Sequence, residues 1–576
     1  MSNAKDPSTI GRRSFLKNTG QSAALLYGGS FLKATSALGA SSNATQDRPN
    51  ILVYFTDEER PTAFSLPSLN MPNRQRILNN SVEFTNTICT YPLCSPSRAT
   101  MLTGLYPHQA GVITNVLANM PELSADTPNV LSQFSEAGYE VGYFGKWDLS
   151  IDGNLEPYGM SAGNYFIPED ENNGRVSDPT TAQRAAQWIT SRQSGKPWIC
   201  FVSIINPHDI MFQSLQPIWE SSEYPNRSIS MPENYNDVLT RLPRTDVPRE
   251  LKTQARLLST PSEESEVKEL MELYAFLIEL SDQHLGTVLN ALDASGQRDN
   301  TTIVYTSDHG DALPAHQVWQ KPFMYEEAVR IPLLIHSPAR YSSRMTVQTP
   351  TTNLDLIPTL ASIAGIEWPY ALPGRDLTAL AANPPEDRAV LSEAALGMDT
   401  ITPEVSDLTL MARNSRFKYV LYPSGDEQLF DLQNDPGEVT DLSESSEYQA
   451  QKKELASFIS TEMENDLNQA HSRNATAVGA ATALALHAAC RPGGTIEMRL
   501  SSKYAGTARV QILTPAGRRV AELPQLNVRA GANNFVWNGR NSRGGKVPKA
   551  TYIARLTMNS GGSGAKTISK RFTLSK

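Results

Sequence analysis

From about position 49 to 338, short runs of β-branched and aromatic residues alternate with longer stretches of helical periodicity. That alternation predicts parallel strands wound with crossover helices. Four of the apolar runs stop at polar clusters. Ile51-Leu52-Val53-Tyr54-Phe55-Thr56 leads into Asp57-Glu58, and Val141-Gly142-Tyr143-Phe144 leads into Gly145-Lys146-Trp147-Asp148. The run 199–205 leads into Asn206-Pro207-His208-Asp209, and the run 302–306 into Ser307-Asp308-His309-Gly310. Ligands of open α/β sheets bind outside the carboxyl ends of the strands, so the four clusters are expected to meet at one site.

Beyond this body the pattern changes three times. The stretch 211–261, rich in Pro, Ser, Asn and charge, predicts a long excursion that shapes a substrate mouth. Residues 48–374 are expected to form the main domain, which carries the four clusters, and 375–468 a smaller α+β subdomain, with a strand at 417–421 and a polar helix from Glu444 to Glu464. Residues 469–490 turn Ala-rich and predict a linker. From 491 to 576 only short runs remain, at 495–500, 508–513, 534–537 and 551–558, punctuated by Gly, Pro and Asn; they predict an antiparallel β-sandwich.

Charge and composition narrow the function. The chain has 576 residues, with 51 Lys and Arg against 60 Asp and Glu, for a net charge of −9. Its first forty residues carry Lys5, Arg12, Arg13, Lys17 and Lys33 against Asp6, or +4, so the remainder carries −9 − 4 = −13. So acidic a chain lacks the clustered Lys and Arg that nucleic acid binding requires. Cys89, Cys94, Cys200 and Cys490 are too few and too scattered for a disulfide framework, and they show no zinc-ligand spacing. Gly11-Arg12-Arg13-Ser14-Phe15-Leu16-Lys17, a weakly apolar stretch at 23–32 and small residues up to Ala37-Leu38-Gly39-Ala40 resemble a twin-arginine export signal over residues 1–40. The resemblance implies the twin-arginine export machinery as a partner and a periplasmic, cell-surface or secreted location. Gly28, Gly29 and Lys33 interrupt the apolar stretch, and no transmembrane segment is expected.

The richest segment is Cys94-Ser95-Pro96-Ser97-Arg98-Ala99-Thr100-Met101-Leu102-Thr103-Gly104. A cysteine with Pro at +2, Arg at +4 and Thr-Gly at +9 and +10 resembles the signature of the type I, formylglycine-dependent sulfatases of the alkaline phosphatase superfamily. Further segments extend the likeness over roughly 48–445: Asn50 to Arg60, Gly145-Lys146-Trp147, Asn206-Pro207-His208-Asp209, and Ser307-Asp308-His309-Gly310 with Lys321 thirteen positions after Asp308. Leu429-Phe430-Asp431-Leu432-Gln433-Asn434-Asp435-Pro436-Gly437-Glu438 looks like the family's C-terminal subdomain signature. The implied fold is α/β, an alkaline-phosphatase-like sandwich with a large, mostly parallel sheet flanked by helices. The tail, with Pro515-Ala516-Gly517-Arg518 and Phe535-Val536-Trp537-Asn538-Gly539, is similar to the Ig-like module of flagellar hook-capping proteins, which implies an accessory or surface-retention role.

Physical chemistry gives the polar residues their tasks. A sulfate monoester is anionic and repels nucleophiles, so its hydrolysis needs a hard cation, fixed positive groups and an oxygen nucleophile sharper than water. Asp57, Glu58, Asp308 and His309 are candidate ligands of a divalent ion, together with an oxygen of modified Cys94; mostly oxygen donors suit Ca²⁺ or Mg²⁺, and the histidine admits Mn²⁺. The resemblance implies that Cys94 is oxidised by a formylglycine-generating enzyme and that one oxygen of the aldehyde hydrate attacks sulfur. It implies further that Arg98 holds the hydrate, Lys146 and Lys321 clamp sulfate oxygens, and His208 donates to sulfate or protonates the leaving alcohol.

Two residues depart from the family pattern. Asp148 stands where Gly-Lys-Trp-His is usual, and such a carboxylate repels an anionic ester unless it binds metal, pairs with Lys146 or Arg98, or meets a cationic substrate group. Glu58 replaces the commoner second Asp. The expected substrate is a sulfated carbohydrate or another organosulfate. The alternatives are a phosphonate or phosphate ester hydrolase of the same superfamily, and a degenerate protein that binds sulfated glycans without turning them over.

Overall fold

The structure is a computed structural model that describes residues 48–573, apart from 62–68, 118–119, 193–194, 214–216, 237–262, 319, 322, 386, 396–407, 478–483, 492–494, 503–505, 515–517, 530, 544, 549–550 and 561–562. The export signal and the second half of the 211–261 excursion lie outside the described residues. At the centre is an eight-stranded sheet in the order Met345–Val347, Ser81–Phe84, Leu333–His336, Thr301–Ser307, Asn50–Asp57, Trp198–Pro207, Glu140–Gly145, Tyr165–Phe166. The four strands with polar ends stand side by side and run parallel. Leu333–His336 runs antiparallel between Thr301–Ser307 and Ser81–Phe84, which makes the sheet mixed.

Both faces of this sheet are covered, which is why its strands read as nearly continuous apolar runs rather than alternating ones. Ile51, Val53 and Phe55 point into one core with Val141, Ile199 and Phe201, where Ala99, Met101, Phe134 and Ile357 close over them. Leu52 and Tyr54 point into the other, against Ala182, Ala185 and Trp188 of the Gly174–Thr190 helix. The 31-residue helix Glu264–Ala294 adds Leu285, Val288, Leu289 and Leu292 there, at the i, i+3, i+4, i+7 spacing of one helix face.

The smaller subdomain is a four-stranded antiparallel sheet of Val390–Ala395, Leu408–Arg413, Phe417–Leu421 and Glu427–Asp431. Leu455 and Ile459 of the helix Gln449–Ala477 pack against its Tyr419 and Leu429. Within the stretch 469–490, where composition predicts a linker, the helix Gln449–Ala477 runs on to Ala477 and Leu484–Arg491 is a strand paired antiparallel with Thr495–Ser502. The terminal unit has two antiparallel sheets whose Met498, Leu500, Val510, Ile512, Ala554 and Leu556 form a common core, as a sandwich requires. Among the described residues no helix is long and apolar enough to cross a membrane.

Candidate active site

Cys94 opens the helix Cys94–Thr103, whose Gly104 ends it in the left-handed conformation at φ 69°. Arg98 lies one turn further on, on the same face as Cys94. Ser97 Oγ donates to the Asp308 carbonyl at 2.5 Å and accepts from Asn353 Nδ2 at 2.7 Å, tying this helix to the strand end that carries Asp308 and His309. The motif's spacing is thus the geometry of a helix start clamped against two neighbouring segments.

The other motif residues are placed by close backbone contacts. Gly145 has φ +108°, and a Cβ there would lie 1.9 Å from the Ser203 carbonyl oxygen, so only glycine lets the chain turn into Lys146. Trp147 is fully buried, packed edge-on against Tyr143 and Tyr158 at 5.3 and 5.0 Å. Gly310 is equally constrained: a Cβ would meet the Glu327 carbonyl oxygen at 2.2 Å. His208 is held by its neighbours, since Asp178 accepts from the Ile205 and Asn206 amides at 2.7 and 2.9 Å and Asp209 accepts from the Gly174 and Arg175 amides at 2.7 and 3.0 Å.

These elements bring together the candidate residues of all four strand ends and of the Cys94 helix. Cys94 Sγ lies 3.6 Å from Asp57 Oδ1, 3.4 Å from His309 Nε2 and 3.8 Å from Lys146 Nζ. Lys146 Nζ pairs with Asp57 Oδ2 at 2.7 Å; Lys321 Nζ reaches Glu58 Oε2 at 2.8 Å and Asp57 Oδ1 at 3.9 Å. Arg98 is committed to four acceptors: Asp308 Oδ2 at 2.8 Å, Asp57 Oδ2 at 3.1 Å, the Lys146 carbonyl at 2.8 Å and Ser203 Oγ at 2.9 Å.

The donor set suits a hard divalent cation. Donor atoms of Asp57, Cys94, Asp308 and His309 lie within 4.8 Å of one another, and those of Asp57, Glu58 and His208 form a second such group sharing Asp57. His309 Nδ1 is 2.9 Å from the Gly310 carbonyl, which can only accept, so Nδ1 donates there and Nε2 is the ring nitrogen that faces the carboxylates. Glu58 Oε1 is buried without a hydrogen-bond partner, a costly state for a carboxylate oxygen that cation ligation would relieve. Glu58 also holds a left-handed backbone, φ 75°, of the kind that concentrates at functional sites.

Electrostatics sort the titrating groups. Burial opposes charge on Asp57, but Lys146, Lys321 and Arg98 outweigh it and hold the carboxyl well below the usual range. Burial, then Asp57, push the Cys94 thiol up to about 12, so the unmodified cysteine is a neutral thiol at physiological pH and a poor nucleophile. Burial, reinforced by Lys146 and Lys321, lowers His208 and keeps it neutral.

Asp148 lies apart from both carboxylate–histidine groups. Its Oδ2 accepts from Ser95 Oγ at 3.0 Å, its amide donates to Glu171 Oε2 at 3.2 Å, and it sits at φ 57°. Ser95 in turn accepts from the Val116 amide at 2.9 Å, so Asp148 belongs to a collar around the residue next to Cys94. Glu171, Asp178, Ser203 and Asn353 carry no sequence signal of their own. Each is a single polar residue outside the motifs, identified only by the backbone group or side chain it holds.

The fold and this site define a hydrolase of the alkaline-phosphatase-like α/β architecture. Residues 49–366 match the sulfatase family, 314–465 the C-terminal region of N-sulphoglucosamine sulphohydrolase, and 492–562 the FlgD Ig-like domain. The chain belongs to the sulfatase family, a family of sulfuric ester hydrolases. It is 26% identical over 443 residues to the ulvan-active sulfatase of Formosa agariphila, covering 71% of this chain and 80% of that protein. It is 26% identical over 487 residues to the N-acetylglucosamine-6-O-sulfatase of Bacteroides thetaiotaomicron, covering 72% and 86% respectively. The solved structure of a 2-O GAG sulfatase is similar with a TM-score of 0.62 at 24% identity, over 74% of this chain and 94% of that one. The phosphonate monoester hydrolase of Agrobacterium radiobacter is similar with a TM-score of 0.57 at 21% identity, over 73% and 96%. These two structural likenesses concern the fold.

Proposed function

We propose that this protein is exported by the twin-arginine route and hydrolyses sulfate esters of a sulfated carbohydrate, with formylglycine at position 94 and a divalent cation. The observation that carries this reading is the meeting of Cys94 with Asp57, Asp308 and His309 on one side and with Lys146 on the other. Oxidised to formylglycine and hydrated, residue 94 supplies the oxygen nucleophile that the neutral thiol cannot. A cation held by Asp57, Asp308, His309 and Glu58, most simply Ca²⁺ with Mg²⁺ or Mn²⁺ as alternatives, supplies Lewis acidity at the sulfate.

The chain's own groups do the rest. Lys146 and Lys321 are buried ammonium groups aimed at the same carboxylate, Asp57, and an incoming sulfate competes for them. Fixed in a dry site, they stabilise the charge that grows on sulfate oxygens without reorganising. Arg98, locked by four acceptors, holds the carboxylates rigid beneath residue 94. His208 is kept neutral partly by the two lysines; a bound sulfate offsets their charge and raises the imidazole toward the range where it can protonate the departing alcohol oxygen.

Sulfated carbohydrate is the favoured substrate class because similar sulfatases bear names such as ulvan-active sulfatase and N-acetylglucosamine-6-O-sulfatase. The test is hydrolysis of 4-nitrophenyl sulfate beside the corresponding phosphate and phosphonate esters, then of sulfated oligosaccharides, by protein from a host with a formylglycine-generating enzyme. Preference for the sulfate and loss in Cys94→Ala support the reading; preference for the phosphonate overturns it.

A further inference from the structure

The Asp435-Pro436-Gly437-Glu438 segment of the C-terminal subdomain touches none of the reacting groups, yet it ends in a fully buried carboxyl group. Glu438 adopts a left-handed backbone, φ 54°, and its turn is fixed by Asp435, whose carboxylate accepts from the Val439 and Thr440 amides at 3.1 and 2.7 Å. Its Oε1 accepts from Lys418 Nζ at 2.7 Å and its Oε2 from the Glu326 amide at 2.7 Å. The Lys418 ammonium has three protons and three acceptors: Glu438 Oε1, Glu326 Oε1 at 3.0 Å and the Met324 carbonyl at 2.6 Å. Arg413, the cross-strand neighbour of Lys418, grips both oxygens of Glu326 at 2.9 and 3.0 Å.

All four ionisable side chains are buried, and all the grips fall on one short piece of chain, 324–326, which begins three residues after Lys321. Stability alone does not account for such a cluster, because buried ion pairs replaced by apolar residues of similar volume are often neutral or stabilising. What apolar packing would not do is hold a particular carbonyl and a particular amide in place. Asn234 of the excursion adds to the same junction, donating to Glu327 Oε1 at 2.9 Å and to the Gly437 carbonyl at 3.2 Å.

We propose that Lys418 and Glu438 are positioning residues for Lys321: by fixing the Met324 carbonyl and the Glu326 amide, the C-terminal subdomain sets where the Lys321 ammonium meets the sulfate. The proposal rests on the reading of Lys321 as a sulfate-binding group. It gives the subdomain a part in the reaction without any contact with substrate.

The experiment is a double-mutant cycle on the full chain made in a host with a formylglycine-generating enzyme. It reads hydrolysis of 4-nitrophenyl sulfate, calorimetric binding of inorganic sulfate, and metal affinity. Lys418→Met is expected to lower kcat/KM about tenfold or more and to weaken sulfate, as small misplacements of a catalytic group do, while metal affinity stays within about twofold. In a Lys321→Ala background the same substitution is expected to change catalysis and sulfate binding by less than about twofold, since contributions that act through one group are not additive. Lys418→Arg should recover part of the loss. Glu438→Gln, which keeps the Met324 carbonyl on Lys418, provides the same cycle if Lys418→Met does not fold. Losses that multiply in the double variant, or metal affinity that falls in step with activity, overturn the proposal. The two readings separate on the single variants. Full activity and sulfate binding in Lys321→Ala remove the sulfate-binding role and the proposal with it, whereas an impaired Lys321→Ala beside an unimpaired Lys418→Met removes only the positioning role.

Discussion

Asp57 and Lys146 form a 2.7 Å ion pair across the sheet, although the strand Trp198–Pro207 lies between the strands that carry them. One oxygen of Asp57 faces Cys94 and His309 and the other faces Lys146 and Arg98. The carboxylate–histidine group and the buried cations of the site therefore share a single carboxylate. On the proposed reading, loss of Asp57 removes a metal ligand and a partner of three buried cations, Lys146, Arg98 and Lys321, whereas loss of Lys146 removes only a sulfate clamp. Lys146→Ala is expected to lower kcat/KM about 100-fold, roughly 3 kcal/mol of transition-state stabilisation, with the metal retained. Asp57→Ala is expected to lose activity and metal together, as read by kinetics beside metal analysis.

Removing divalent cations with a chelator is expected to abolish hydrolysis and lower Tm, and adding one back should restore both. A ligand that binds only the folded state at about 100 times its Kd adds roughly 2.7 kcal/mol. Titration with Ca²⁺, Mg²⁺ and Mn²⁺, followed by thermal unfolding, ranks the three; a Tm and an activity indifferent to chelation would contradict the assigned donor set.

Asp148 accepts from Ser95 Oγ, so putting histidine there takes an acceptor away from the residue beside Cys94. Asp148→His is expected to lower kcat/KM by about tenfold, since losing one partner of a part-buried hydrogen bond costs on the order of 1 kcal/mol. A large gain in rate would instead mark Asp148 as a lesion and favour a degenerate, glycan-binding ancestry.

Stability should fall on mild acidification for a reason outside the site. Burial lowers His284, on the long helix Glu264–Ala294, to about 4. The unfolded chain takes up a proton near pH 6.5 and the folded one only near pH 4, so stability is intact above about 6.5 and declines as pH falls through that window. At about 1.4 kcal/mol per pH unit the full loss is roughly 3 kcal/mol. His284→Gln should flatten the difference in Tm between pH 7.5 and pH 5; an unchanged difference would rule out His284 as the cause.

What was legible in the sequence followed from where chemistry touches regular structure. The four polar clusters were visible because each interrupts a doubly buried apolar strand, where a charge has no packing role. The Cys94 segment was visible because a helix start imposes fixed spacing on Pro96, Arg98 and Gly104. The supporting residues were not. Glu171 and Asp178 act by accepting backbone amides from segments remote in sequence, and that need leaves no periodic trace. Lys418 read as one residue of an ordinary half-buried strand, and its burial among Glu326, Glu438 and Met324 depends on a tertiary contact. Within the Ala-rich stretch, the strand Leu484–Arg491 depends on a pairing edge offered by Thr495–Ser502, which composition does not reveal.

The most direct test of the account is the mass of the peptide containing Cys94, from protein made with a formylglycine-generating enzyme and from protein made without one, each paired with its rate on 4-nitrophenyl sulfate. The account predicts a lighter, hydrazide-reactive peptide in the first preparation only, and a rate that rises in proportion to its fraction. An unmodified thiol in the competent host, or equal rates from the two preparations, would contradict the claim that residue 94 supplies the nucleophile as formylglycine.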